Sequence, residues 1–125
     1  MSETKKKILF IDDDRFLRTV WAKALSDSGY EVDTAEDGKQ GLEKMKEIKP
    51  DLVILDIVMP GWSGFDFLEA QKKDPEVKDI KVVVISSIAG GDDVTKAKEM
   101  GAIGYINKED ATIRVAAEKV GEFLK

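Results

Sequence analysis

At 125 residues, 42% hydrophobic and 36% charged, the chain has the composition of one globular domain, large enough to bury a core without staples. It contains no cysteine and no histidine, which excludes a disulfide framework, a zinc-thiolate site, a Ser-His-Asp triad and histidine metal ligands, and leaves carboxylates, hydroxyls and lysines to carry any chemistry. A net charge of -5 lacks the basic footprint of a nucleic-acid binder. The polar start Met1 to Lys7 and the lack of any apolar run near ~20 residues predict neither a signal peptide nor a membrane span, hence a cytoplasmic protein.

Lys7 to Ile11 reads as a buried strand that runs into Asp12-Asp13-Asp14. Phe16, Leu17, Val20, Trp21, Ala24 and Leu25 recur at helical spacing and predict a first helix, capped by Asp14 and ending near Gly29. Tyr30, Val32 and Thr34 alternate with Glu31 and Asp33, as in an edge strand. Asp37 is placed to cap a second helix, with Gln40 at the reach-back position and Leu42, Met45 and Ile48 facing inward. The apolar run Leu52 to Leu55 predicts a buried third strand ending on Asp56. Ser63 caps a third helix carrying Phe65, Phe67 and Leu68, which stops before Pro75. Val82 to Ile85 make a fourth strand, followed by Ser86, Ser87 and a Gly90-Gly91 loop. Val94, Ala97 and Met100 mark a fourth helix, Ile103 to Ile106 a fifth strand, and Ile113, Ala116, Ala117, Val120 and Phe123 a last helix. Trp21 belongs to the core stripe, whereas Trp62, in the loop after Asp56, is expected near the acids.

Five strands alternating with five helices predict one α/β domain over residues 1–125, a doubly wound parallel sheet of order 2-1-3-4-5 in the flavodoxin-like (βα)5 arrangement. That order places the switch point between the first and third strands. Asp12, Asp13 and Asp56 then meet at one sheet edge, and Ser86 and Lys108 reach the same crevice. Two carboxylates 4 Å apart repel by roughly 4 kcal/mol at an effective dielectric near 20, so the cluster needs a cation. All-oxygen ligation suits Mg²⁺. Asp56, ionised at neutral pH, can attack phosphorus without a general base, and in-line phosphoryl transfer asks mainly for positioning and charge neutralisation.

Several segments together resemble the receiver domain of two-component response regulators, in its single-domain, chemotaxis-regulator-like form. They are Ile8-Leu9-Phe10-Ile11-Asp12-Asp13-Asp14, the stretch from Asp51 through Asp56-Ile57-Val58-Met59-Pro60 to Gly64, Val82 to Ser86, and Gly101-Ala102 through Tyr105-Ile106-Asn107-Lys108. The resemblance implies that Asp56 is the phosphoacceptor, that Asp13 and Asp56 ligate Mg²⁺ directly, that the backbone carbonyl of Val58 completes the protein ligands, and that Asp12 holds the metal through water. It further implies that Lys108 binds a phosphoryl oxygen and that Ser86 and Tyr105 form the switch. The implied donor is a phosphohistidine on a sensor histidine kinase or histidine phosphotransfer protein. The implied output is a downstream protein docking on the face of the fourth helix, fifth strand and fifth helix, with no nucleic acid or membrane contact. Such a protein is no enzyme beyond its own phosphoryl transfer and dephosphorylation.

Three positions depart from the family pattern. Receivers usually carry Pro after this lysine, commonly in a cis bond, whereas Glu109 follows Lys108 here; a cis non-proline bond costs ~3 kcal/mol, so the loop either bears that strain or takes a trans path that shifts Lys108. Val58 and Ile88, which flank the phosphoryl site in the family, are aliphatic and cannot orient a hydrolytic water, so a long-lived phosphoryl group is expected. Rival readings are a haloacid-dehalogenase-like phosphatase using Asp12 and Asp14, and a receiver-like scaffold that is never phosphorylated. The first gives Asp56 no role, and the second leaves converging acids without use. A flavin module of the same architecture would need small hydroxyl and glycine residues where the three acids stand.

Overall fold

In the computed structural model, which describes residues 5–86, 91–108 and 113–124, strand and helix alternate as β1 (Lys7–Ile11), α1 (Arg15–Asp27), β2 (Glu31–Ala35), α2 (Gly38–Ile48), β3 (Leu52–Asp56), α3 (Gly64–Lys72), β4 (Lys81–Ser86), α4 (Gly91–Glu99), β5 (Gly104–Asn107) and α5 (Ile113–Phe123). All strand pairs are parallel, in the predicted order β2-β1-β3-β4-β5. β1, β3 and β4 are apolar at consecutive positions because helices cover both sheet faces. The two-residue period of a strand sends Leu9, Ile11, Val53, Leu55, Val82 and Val84 to one face, against Met45, Phe67, Leu68 and Ala97. The alternate residues Ile8, Phe10, Leu52, Ile54, Val83 and Ile85 pack on Trp21, Leu25, Ala116, Ala117 and Val120. β2, with its mixed pattern, is the sheet edge expected of it.

The helix starts follow the predicted caps. Asp14 accepts from the Leu17 N–H at 3.1 Å and Asp37 from the Gln40 N–H at 2.8 Å, while Ser63 and Asp66 form a reciprocal capping box. Gln40 reaches one residue further back than predicted, its Oε1 accepting from the Glu36 N–H at 2.9 Å.

Three local expectations are corrected. Phe16 is 73% exposed and lies off the core stripe, which is carried by Leu17, Trp21, Ala24 and Leu25. Ile103 precedes the fifth strand, which begins at Gly104, where the Phe123 ring fills the space a side chain would take. Gly91 opens α4 instead of belonging to a loop. Ser87, Ile88, Gly90 and Glu109 lie outside the described residues, and with them the state of the Lys108-Glu109 bond.

Candidate functional site

β1 and β3 are hydrogen-bonded neighbours running the same way, so the residues at their carboxyl ends emerge side by side. Asp12 follows β1 directly, and its N–H donates to the Ala35 carbonyl at 3.1 Å, extending the β1–β2 ladder by one bond. Asp56 closes β3 opposite Ile85 of β4. Asp12 is 0% and Asp56 4% exposed, while Asp13 faces solvent. One carboxylate oxygen from each of the three lies within 4.8 Å of the others.

Donors surround the two buried acids. Asp12 Oδ1 accepts from the Asp14 N–H at 2.9 Å, its Oδ2 from Lys108 Nζ at 2.9 Å, and its backbone carbonyl from Arg18 Nη1 at 2.8 Å. Asp56 Oδ1 accepts from the Val58 N–H at 3.2 Å and its Oδ2 from Lys108 Nζ at 3.3 Å. Lys108 thus bridges both carboxylates, whatever the path of the bond that follows it. Burial, then the nearby charge of Asp12, pushes the Asp56 carboxyl up to about 6, with Lys108 and the Val58 N–H pulling against them. For Lys108, burial opposes the charged form, but the hydrogen bond to Asp12 and the charges of Asp56 and Asp12 outweigh it and raise its pKa.

One ammonium therefore faces three carboxylates. The excess negative charge, the all-oxygen donor set and the close approach of Asp12, Asp13 and Asp56 fit a hard divalent cation such as Mg²⁺. Asp12 has both carboxylate oxygens bonded to protein donors, and among the described residues no donor binds the carboxylate of Asp13. A direct ligand role suits Asp13 better than Asp12.

Ser86 ends β4 and is 1% exposed; its carbonyl accepts from the Lys108 N–H at 3.0 Å and from the Tyr105 hydroxyl at 3.4 Å. Tyr105, half-buried on β5, is thereby tied to the same strand end as the lysine. Asp14 stands apart from the acid cluster as the α1 cap, which removes the second acid from the phosphatase reading.

Sequence reasoning passed over two residues. Arg18 lies one helical turn beyond Asp14, a spacing that returns its side chain toward Asp12. Gly64 donates its N–H to the Ile57 carbonyl at 2.8 Å, and a Cβ there would lie 2.7 Å from the Ile57 Cα and 2.8 Å from the Asp56 carbonyl oxygen. Only glycine lets α3 start flat against the strand end that carries Asp56. Trp62 packs on Gly38, the first residue of α2.

The model of the response regulator receiver domain matches residues 8–118. The chain belongs to the response regulator receiver family. Among similar receiver proteins, the chemotaxis protein CheY of Thermotoga maritima is 37% identical over 112 residues, covering 88% of this chain and 91% of that protein. A probable transcriptional regulator, ycf27 of Guillardia theta, is 37% identical over 85% of this chain, which spans 41% of that protein. Chemotaxis protein CheV3 of Helicobacter pylori is 36% identical over 84% of this chain, which spans 37% of it. Against these longer relatives the chain covers about two-fifths of their length or less. The solved receiver CheY4 of Vibrio cholerae superposes with a TM-score of 0.88 at 27% identity, covering 95% of this chain and 98% of that one. No described helix is long and apolar enough to cross a membrane.

Proposed function

We propose that this receiver accepts a phosphoryl group on Asp56 from a phosphohistidine of a sensor histidine kinase or histidine phosphotransfer protein. The observation that carries the reading is the Asp56 carboxylate, buried at a strand end, held by Lys108 and the Val58 N–H, and clustered with Asp12 and Asp13. A carboxylate oxygen of Asp56 forms the new bond to phosphorus while the bond from phosphorus to the imidazole nitrogen breaks, and the imidazole leaves neutral after taking a proton from solvent. Lys108, already an ammonium beside Asp56, neutralises a phosphoryl oxygen, and the Ser86 hydroxyl bonds to another. Asp13, Asp56 and the Val58 carbonyl would hold Mg²⁺, with Asp12 acting through water, and the ion would supply the remaining charge neutralisation.

The chain catalyses only its own phosphorylation and dephosphorylation, and residues 1–125 act as one receiver domain in the cytoplasm without nucleic acid or membrane contact of their own. Its signal leaves through Ser86 and Tyr105, whose link from β4 to β5 leads to the α4-β5-α5 face where a downstream protein docks. Incubation with a small-molecule phosphodonor and Mg²⁺, followed by intact mass, tests the reading. The parent is expected to gain one phosphoryl group, and Asp56→Asn to gain none. Turnover of a phosphate ester that survives Asp56→Asn but not Asp12→Asn would overturn it. Val58, 55% exposed and aliphatic, cannot orient a hydrolytic water, so the same assay should show an adduct that outlasts several minutes instead of seconds.

A further inference from the structure

The loop from Ile57 to Ser63 leaves β3 carrying Val58, whose N–H holds Asp56, and must be kept in place at both ends. At its base, Gly64 closes it through the bond to the Ile57 carbonyl. Its far end bears Gly61 at φ 75, a turn that suits glycine, followed by the large half-buried ring of Trp62. That ring has a made-to-measure neighbour. Gly38 is buried at the start of α2, and a Cβ added there would lie 3.0 Å from Trp62 Cβ and 3.3 Å from Trp62 Cε3. Lys39 places its Nζ 5.9 Å from the ring centroid, within reach of a cation–π attraction. A cleft of about 230 Å³, lined by Asp37, Gly38, Lys39, Pro60, Gly61 and Trp62, lies along this seam.

We infer that Trp62 is a positioning residue for the acid site. By docking on Gly38 it ties the loop after Asp56 to the first turn of α2 and so sets the backbone of Val58, whose N–H binds Asp56 and whose carbonyl would complete the protein ligands of the metal. The inference rests on the receiver reading above and adds to it a named anchor outside the ligand set. Loss of the ring frees the loop end while leaving every ligand in the chain, and the loop then orders only when the cation binds. The cation therefore binds more weakly, and the chemistry at saturating cation is largely kept.

Two measurements on the parent, Trp62→Ala, Trp62→Phe and Gly38→Ala test this: the dissociation constant for Mg²⁺ by calorimetry, and hydrogen exchange of the Val58 amide in metal-free protein. Trp62→Ala is expected to weaken Mg²⁺ about tenfold and to speed Val58 exchange, with a phosphorylation rate at saturating Mg²⁺ close to the parent's; Trp62→Phe restores most of the affinity. Gly38→Ala, which keeps the ring but drives a methyl group into it, is expected to act in the same direction, and it decides the matter if Trp62→Ala does not fold. Unchanged Mg²⁺ affinity and unchanged Val58 exchange in the variants, even with a lowered melting temperature, would overturn the inference and leave Trp62 as packing alone. A parent that binds no Mg²⁺ and accepts no phosphoryl group would instead sink the receiver reading itself.

Discussion

On the proposed function Asp56 meets two opposing demands: burial at a strand end would shield an acyl phosphate from water, yet burial also disfavours the ionised form that would attack. Its carboxyl is pushed up to about 6 in the metal-free protein by burial and by Asp12, above the ordinary 3.8. The folded state therefore binds this proton more tightly than the unfolded chain does, and the penalty for ionising it is complete above pH ~6 and vanishes below ~4. Metal-free protein should consequently gain about 1 kcal/mol of unfolding free energy from this group between pH 7 and pH 5, a gain absent from Asp56→Asn. Denaturant unfolding of both proteins at the two pH values checks it, and parallel pH dependence in the pair would refute the assignment. The sequence identified Asp12, Asp13, Asp56, Ser86 and Lys108 because each lies at or just past the end of an apolar run. It concealed Arg18, since a surface-like arginine one turn into a helix has no local mark of its bond to the Asp12 carbonyl.

At the scale of elements, α1 shows where periodicity stops being informative. Six apolar residues fit a helical stripe, but a helix packed on one sheet face covers only part of its circumference, and Phe16 in the first turn falls outside it. Trp21, 2% exposed, stacks on Phe10 with ring centroids 5.3 Å apart. Trp21→Ala is expected to cost about 3–5 kcal/mol, whereas Phe16→Ser should change stability by no more than about 0.5 kcal/mol. Equal losses in denaturant melts would show that the helix is rotated from the observed position. The exposure of Phe16 beside the acid loop could not be read from its neighbours, because it depends on how far the stripe turns before the sheet ends. The caps of α1, α2 and α3 were legible, since a cap is a contact between residues three apart.

For the molecule as a whole, the acid cluster is a property of the strand order. Asp12 and Asp56 stand 44 residues apart in the chain and meet only because β1 and β3 are neighbours while β2 is displaced to the edge. The Lys108 ammonium offsets only part of the repulsion between the gathered acids, so on the proposed reading a bound Mg²⁺ would stabilise the fold. Mg²⁺ at about one hundred times its dissociation constant should stabilise the protein by about 2.7 kcal/mol, and Asp13→Asn, which removes the exposed acid, should abolish most of that gain at the same concentration. Thermal melts with and without Mg²⁺ measure both; an equal gain in the variant would remove Asp13 from the metal site. The sequence by itself determined the five alternating units, the three caps, the parallel sheet and the residues at its chemical edge, because periodicity and capping are written in residues close along the chain. Tertiary structure alone decided that Lys108 bridges Asp12 to Asp56, that Arg18 and Gly64 support them, and that Trp62 rests on Gly38. Those are contacts between distant segments, set by the packing of side chains across the sheet edge and invisible to any local pattern.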